Sequence, residues 1–110
     1  DPAVINVNFW ITPDEANLDP SNGGLVVWDT AAPEDWSYAD YNINVARMKR
    51  FIASSGAKAK RFAHRQNLAV IFNSSLSHKT DTLNFKSGYE NRRINITLLF
   101  GEARGMRHFY

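Results

Sequence analysis

Two stretches of the chain alternate strictly. From Ile5 to Thr12, Ile5, Val7, Phe9 and Ile11 fall on one side and Asn6, Asn8, Trp10 and Thr12 on the other. From Arg93 to Phe100, Ile94, Ile96, Leu98 and Phe100 oppose Arg93, Asn95, Thr97 and Leu99. A period of two predicts a β-strand at each place. Leu25 to Trp28 and Leu68 to Phe72 are short β-branched and aromatic runs that read as further strands, the second ending at the turn-prone Asn73-Ser74-Ser75. Ala57 to His64 reads as extended, and Arg65-Gln66-Asn67 as a tight turn. Only Ile43 to Ser54 has a helical period, with Val45, Met48, Phe51 and Ile52 in phase. Asn42 or Asn44 is a candidate cap at its start, and Gly56 suits the left-handed position past its end. Thr12 to Gly24 is loop chemistry with room for one helical turn at Asp14-Glu15-Ala16; Asp29 to Asp40 is an acidic loop, and Glu102 to Tyr110 has no period.

The polar sides of the two alternating strands have two readings. They are wet, or they line a cavity that takes a polar ligand. Trp10 favours the cavity, because an indole beside the asparagines suits a pocket better than bulk water. Arg93 stands at the head of its strand on the polar side, so its guanidinium points into that cavity or into solvent. In the acidic loop, Trp36 and Tyr38 either close over a pocket mouth or pin the loop to the body.

Five or six short strands, one amphipathic helix and long connections predict a mainly β fold, an antiparallel sandwich or open barrel with the helix across the outside of a sheet. At 110 residues the chain is expected to be a single domain, able to bury roughly two thirds of the surface that it exposes when unfolded. It has no cysteine, so neither disulfides nor thiolate metal sites hold it, and a reducing, cytoplasmic setting is allowed. No apolar run approaches a membrane span and no signal peptide is evident, so the chain reads as soluble. Residue 1 is Asp, which reads as a processed or truncated piece of something longer. Thirteen basic and eleven acidic residues leave a net charge of +2. Seven of the bases lie between Arg47 and Arg65; that is a footprint for nucleic acid or, the stronger reading, the solvated face of a helix and an outer strand.

The remaining chemistry is His78 and the pair Arg92-Arg93, and with the polar-sided strands they resemble the iron(II)- and 2-oxoglutarate-dependent oxygenases, double-stranded β-helix enzymes that include the prolyl hydroxylases. AVIFNSSLSH looks like the later strand that carries an iron-binding histidine, ENRRINITLLF like the arginine-headed last strand, and GGLVVW like the Gly-Gly-led middle strand. The resemblance implies a jelly-roll, cupin-like fold of which residues 1–110 are the C-terminal part. It implies Fe(II) held by His78 and a carboxylate, with Arg93 on the far carboxylate of the cosubstrate, Arg92 as the alternate anchor, and Asn8 as a further cosubstrate contact. The family's His-x-Asp pair is absent from the sequence, and Asp1 falls where its aspartate should be. Fourteen residues separate His78 from Arg93, a long connection for the family. His64 and His108 have no partner pattern.

Two imidazoles and a carboxylate on one face of Fe(II) leave positions for a 2-oxo acid and dioxygen. A guanidinium grips a carboxylate through paired, charge-assisted bonds. The implied activity is hydroxylation of a protein side chain or small molecule, with 2-oxoglutarate as cosubstrate. The rivals are a cupin-like binding or sensor domain without catalytic iron, and an interaction module using the basic helix. No membrane partner is expected, and self-association as a homo-oligomer is allowed.

Overall fold

Six strands and one helix form from the patterned runs, and a computed structural model describes residues 3–33, 35–37, 40 and 43–102. In chain order they are β1 (Ile5–Trp10), β2 (Leu25–Ala31), α1 (Val45–Ser55), β3 (Ala59–Phe62), β4 (Ala69–Asn73), β5 (Leu76–Thr80) and β6 (Asn95–Phe100). They build two three-stranded antiparallel sheets, β4-β1-β6 and β3-β2-β5, with no strand shared between them. The connections β1–β2, β3–β4, β4–β5 and β5–β6 each pass from one sheet to the other. The mainly β expectation holds; the two sheets do not close into a barrel.

The first sheet is polar toward the second and apolar away from it. Asn6 stands opposite Phe72 and Leu99, Asn8 opposite Val70 and Thr97, and Trp10 opposite Asn95. Directly opposed residues share a face. Trp10 and Asn6 are 0% and 2% exposed and Asn8 8%, so this face is the interior one. The other face carries Ile5, Ile71, Ile96, Leu98 and Phe100, all exposed. Of the two readings of the alternating strands, the wet one does not hold for β1, whose polar side is buried against the second sheet.

The two sheets share the hydrocarbon between them. Leu25 and Val27 of β2 face inward and join Trp10 and Val70, with Phe62, Leu68, Phe72 and Leu76 packed around them. Each such aliphatic side chain contributes about 1.5–3 kcal/mol over leaving it in water. Val26, pointing the other way, is also fully buried.

Several boundaries differ from the sequence reading. β2 runs on to Ala31 through a bulge between Val27 and Ala31, which shortens the acidic loop. β3 is only four residues long. AVIFNSSLSH is not one strand but two, β4 and β5, which turn at Ser74-Ser75 and join different sheets. The helix begins after Asn44, whose side chain accepts the Arg47 amide at 3.0 Å, and ends at Gly56 with φ 72°. Asn42, Tyr38 and His108 lie outside the described residues. Trp36 is pinned to α1, 5.2 Å from the Phe51 ring and 4.2 Å beneath the Arg47 guanidinium. No helix among the described residues is long and apolar enough to cross a membrane.

Candidate functional site

The head of β6 is fixed by residues far away in sequence. Thr12, two residues past β1, accepts the Ile94 amide at 2.7 Å and donates its hydroxyl to the Arg92 carbonyl, so the backbone on both sides of Arg93 is clamped. The Thr12 carbonyl in turn accepts Nε2–H of His64 at 2.8 Å. His64 is buried between the rings of Trp10 and Phe85. It is a structural histidine, and its work is to hold Thr12.

With its backbone clamped, Arg93 lies inward. Its guanidinium is 5.4 Å from the centre of the Trp10 ring. Nε donates to the Gly23 carbonyl and Nη2 to the Gly24 carbonyl, both at 3.1 Å. The backbone itself requires glycine at both places. Gly23 has φ 86°, a left-handed conformation, and a Cβ on Gly24 would run into the Phe62 carbonyl.

The third nitrogen starts a chain of amides. Nη1 of Arg93 donates to Oδ1 of Asn95 at 3.1 Å, Nδ2 of Asn95 donates to Oδ1 of Asn8 at 3.1 Å, and Nδ2 of Asn8 donates to Oδ1 of Asn6 at 2.6 Å. A guanidinium can only donate, so its direction sets that of every amide after it. The result is a row of oriented dipoles along the inner face of the first sheet, each with its oxygen toward the charge. Among the described residues no carboxylate lies within ion-pair distance of Arg93. Burial holds its pKa below the usual guanidinium value.

Arg92 faces the other way. Its guanidinium lies 5.4 Å from the ring of exposed Tyr89, so the alternate anchor is outside the interior. Asn8 is buried inside, the middle member of the amide row.

His78 approaches from the second sheet. On β5 it stands opposite Val27, on the inward face, and its ring meets Phe72 of the first sheet at 4.9 Å. Its Nδ1 is 2.8 Å from the Leu76 carbonyl. A carbonyl can only accept, so Nδ1 carries a proton, and Nε2 is the nitrogen that a metal would take. On β2, the residue opposite His78 is Val27 and the carbonyl that holds Arg93 is Gly24, three residues away. At ~3.3 Å per residue they are about 10 Å apart along the strand. Asp1, the expected carboxylate ligand, lies outside the described residues. Among these, no group of three His, Cys, Asp or Glu comes together. Asp81 is engaged elsewhere, with both carboxylate oxygens 2.8 Å from Nη1 of Arg61.

Thr12, Asn6 and Asn95 already stood on the polar sides of the two alternating strands, a signal in plain sight. Gly23 and Gly24 act through backbone carbonyls and His64 through a carbonyl 52 residues away, and no local pattern marks either role. Comparison with family profiles, with curated proteins and with solved structures finds no match to this chain. What the coordinates define is a two-sheet antiparallel β protein with a cationic, amide-lined interior.

Proposed function

We propose that this chain is part of a double-stranded β-helix domain of an iron(II)- and 2-oxoglutarate-dependent dioxygenase, with Arg93 binding the far carboxylate of the cosubstrate and His78 one of the iron ligands. The observation that carries the reading is the inward guanidinium of Arg93, half-buried with only carbonyl and amide partners. A buried cation is expected to be paired, and a dicarboxylate entering the interior would pair it.

His78 fits an imidazole ligand by its face and its Nδ1 bond. Among the described residues His78 belongs to no group of three ligating side chains, and Asp1 is the proposed carboxylate. Bound iron would supply oxygen activation, by which 2-oxoglutarate and O2 hydroxylate a C–H bond and leave succinate and CO2. The described residues of the chain bind and orient. Arg93 holds the anion, the amide row and Thr12 hold Arg93 in place, and Trp10 lies against the guanidinium.

Calorimetric titration with 2-oxoglutarate in the presence of Mn(II) tests this. Arg93→Ala is expected to weaken binding about 10- to 100-fold, the worth of charge-assisted bonds, and Arg92→Ala less than about twofold. Equal effects, or no binding by the unaltered protein, would overturn the proposal. Binding without iron-dependent turnover would reassign the chain as a cupin-like binding domain.

A further inference from the structure

A cavity lies away from the packed interior between the sheets. It has a volume of about 810 Å³, within the range of ligand sites, and sits between α1 and the β5 side of the second sheet. The residues of β5 that alternate with His78 are Ser77 and Lys79. They therefore lie on the side of the strand away from His78 and share the outer face of the sheet with Val26 and Trp28. Val45, Met48 and Ile52 recur along one side of α1 and line the opposite wall. No residue of α1 is buried, so this apolar side faces the cavity instead of packing on the sheet.

Three observations say what the cavity takes. Its walls are aromatic and aliphatic, with Trp28 on the sheet side and Trp36, held against Phe51, on the helix side. The lysines that line it are Lys49 and Lys79, the latter with Nζ 5.8 Å from the Trp28 ring, and no carboxylate lines it among the described residues. Ser74 and Ser77 also line it, and each has a buried hydroxyl oxygen with no hydrogen-bond partner. Ser74 is 3% exposed. Buried hydroxyls are nearly always satisfied, and two unsatisfied ones on one wall beside a lysine point to a polar group that the protein does not supply. Donors and cations together select an acceptor with negative charge.

We propose that this groove binds a small hydrophobic carboxylate, its apolar body between Trp28 and the Met48–Ile52 side of α1 and its carboxylate at Ser77 and Lys79. His78 also lines the groove, whereas Arg93 and the amide row do not, and the proposal does not depend on the reading of His78 as an iron ligand.

The test uses 2-naphthoate, with 2-naphthylmethylammonium as the probe of opposite charge. The chain has three tryptophans, which give three indole N–H resonances, assigned by Trp→Phe variants. 2-Naphthoate is expected to shift those of Trp28 and Trp36 and to leave that of the core Trp10 in place. It is expected to bind about tenfold or more tightly than the ammonium probe, the effect of one charge-assisted contact. Lys79→Gln should cost about fivefold and Ser77→Ala about threefold, with the remaining spectrum reporting an intact fold. Arg93→Ala should leave naphthoate binding unchanged. Equal affinity for the two probes, no saturable binding, or loss of binding in Arg93→Ala with a shift at Trp10 would each overturn the proposal, the last by sending the anion to Arg93 instead.

Discussion

The two sheets solve the problem of the interior in opposite ways. β2, at the centre of the second sheet, is apolar on both sides, with Leu25 and Val27 toward the core and Val26 buried beneath the outer face. β1, at the centre of the first, sends two asparagines and a tryptophan inward and isoleucine, valine and phenylalanine outward. A protein that needed only stability would turn β1 over, since an inward amide contributes nothing unless it is bonded. The asparagines of β1 are bonded, to one another and through Asn95 to Arg93. Both sheets feed the apolar cluster between them, and the first also holds a charge in position.

That difference gives its largest effect where the amide row is cut. Asn8→Leu keeps the branching and removes two bonds of the row, the acceptor that Asn95 Nδ2 shares with Thr97 Oγ1 and the donor to Asn6 Oδ1. Leaving buried polar groups unsatisfied costs about 1–3 kcal/mol in all. Urea denaturation is expected to show a lower midpoint with an unchanged slope. Cosubstrate binding should weaken as well, because the row that orients Arg93 is broken. A variant as stable as the parent would mean that the row is solvated and β1 an ordinary wet strand.

The second sheet carries its own charge pair on the outside, and the effect there is smaller and depends on pH. Asp81 is buried, and the hydrogen bond from Arg61, helped by the Thr82 amide and opposed by desolvation, holds its carboxyl below the usual carboxylate value. A carboxylate with a depressed folded pKa stabilises the fold above its unfolded pKa, near 3.9. That contribution is lost as pH falls through the lower, folded value. Asp81→Asn should therefore lose about 1–2 kcal/mol at pH 7, since Arg61 is largely exposed and screened. The loss should shrink toward zero in acid below the folded pKa. A difference between the two proteins that stays constant from neutral pH into acid would rule out the ion pair as its source.

How much of this was legible in the sequence follows from the same contrast. Strict alternation located β1 and β6 and put Asn8, Trp10, Asn95 and Arg93 on one side of them. It could not say that this side was the interior, because a polar side is usually the wet one. Burial was decided by the second sheet, which brings Leu25 and Val27 against Trp10. The helix was legible from its period and its glycine stop. β5 was not, since Leu76-Ser77-His78-Lys79-Thr80 has one apolar residue and stands at a sheet edge, where neither face needs hydrocarbon. Of the site, Arg93 and His78 stood out as residues, yet their partners are carbonyls of Gly23, Gly24 and Leu76, which side-chain patterns do not record.

The smallest expected effect is also the sharpest statement about the first sheet. Ile71 lies on its outer face beside Val7, between the rows of Ile5 and Phe9, and is 67% exposed. In the fold as it stands, Ile71→Lys removes little packing and creates no buried charge. The change in stability should be within about 0.5 kcal/mol, as for other surface positions. The same face presents Ile96, Leu98 and Phe100 on β6, and a contiguous apolar surface of this kind is uncommon on a monomer. If Ile71→Lys instead loses more than about 1.5 kcal/mol by urea denaturation, the face is covered in solution and the lysine is being forced into an apolar contact. A small loss would mean that β1 owes its inverted pattern to the amide row alone. A large one would mean that both sides of the first sheet are interior.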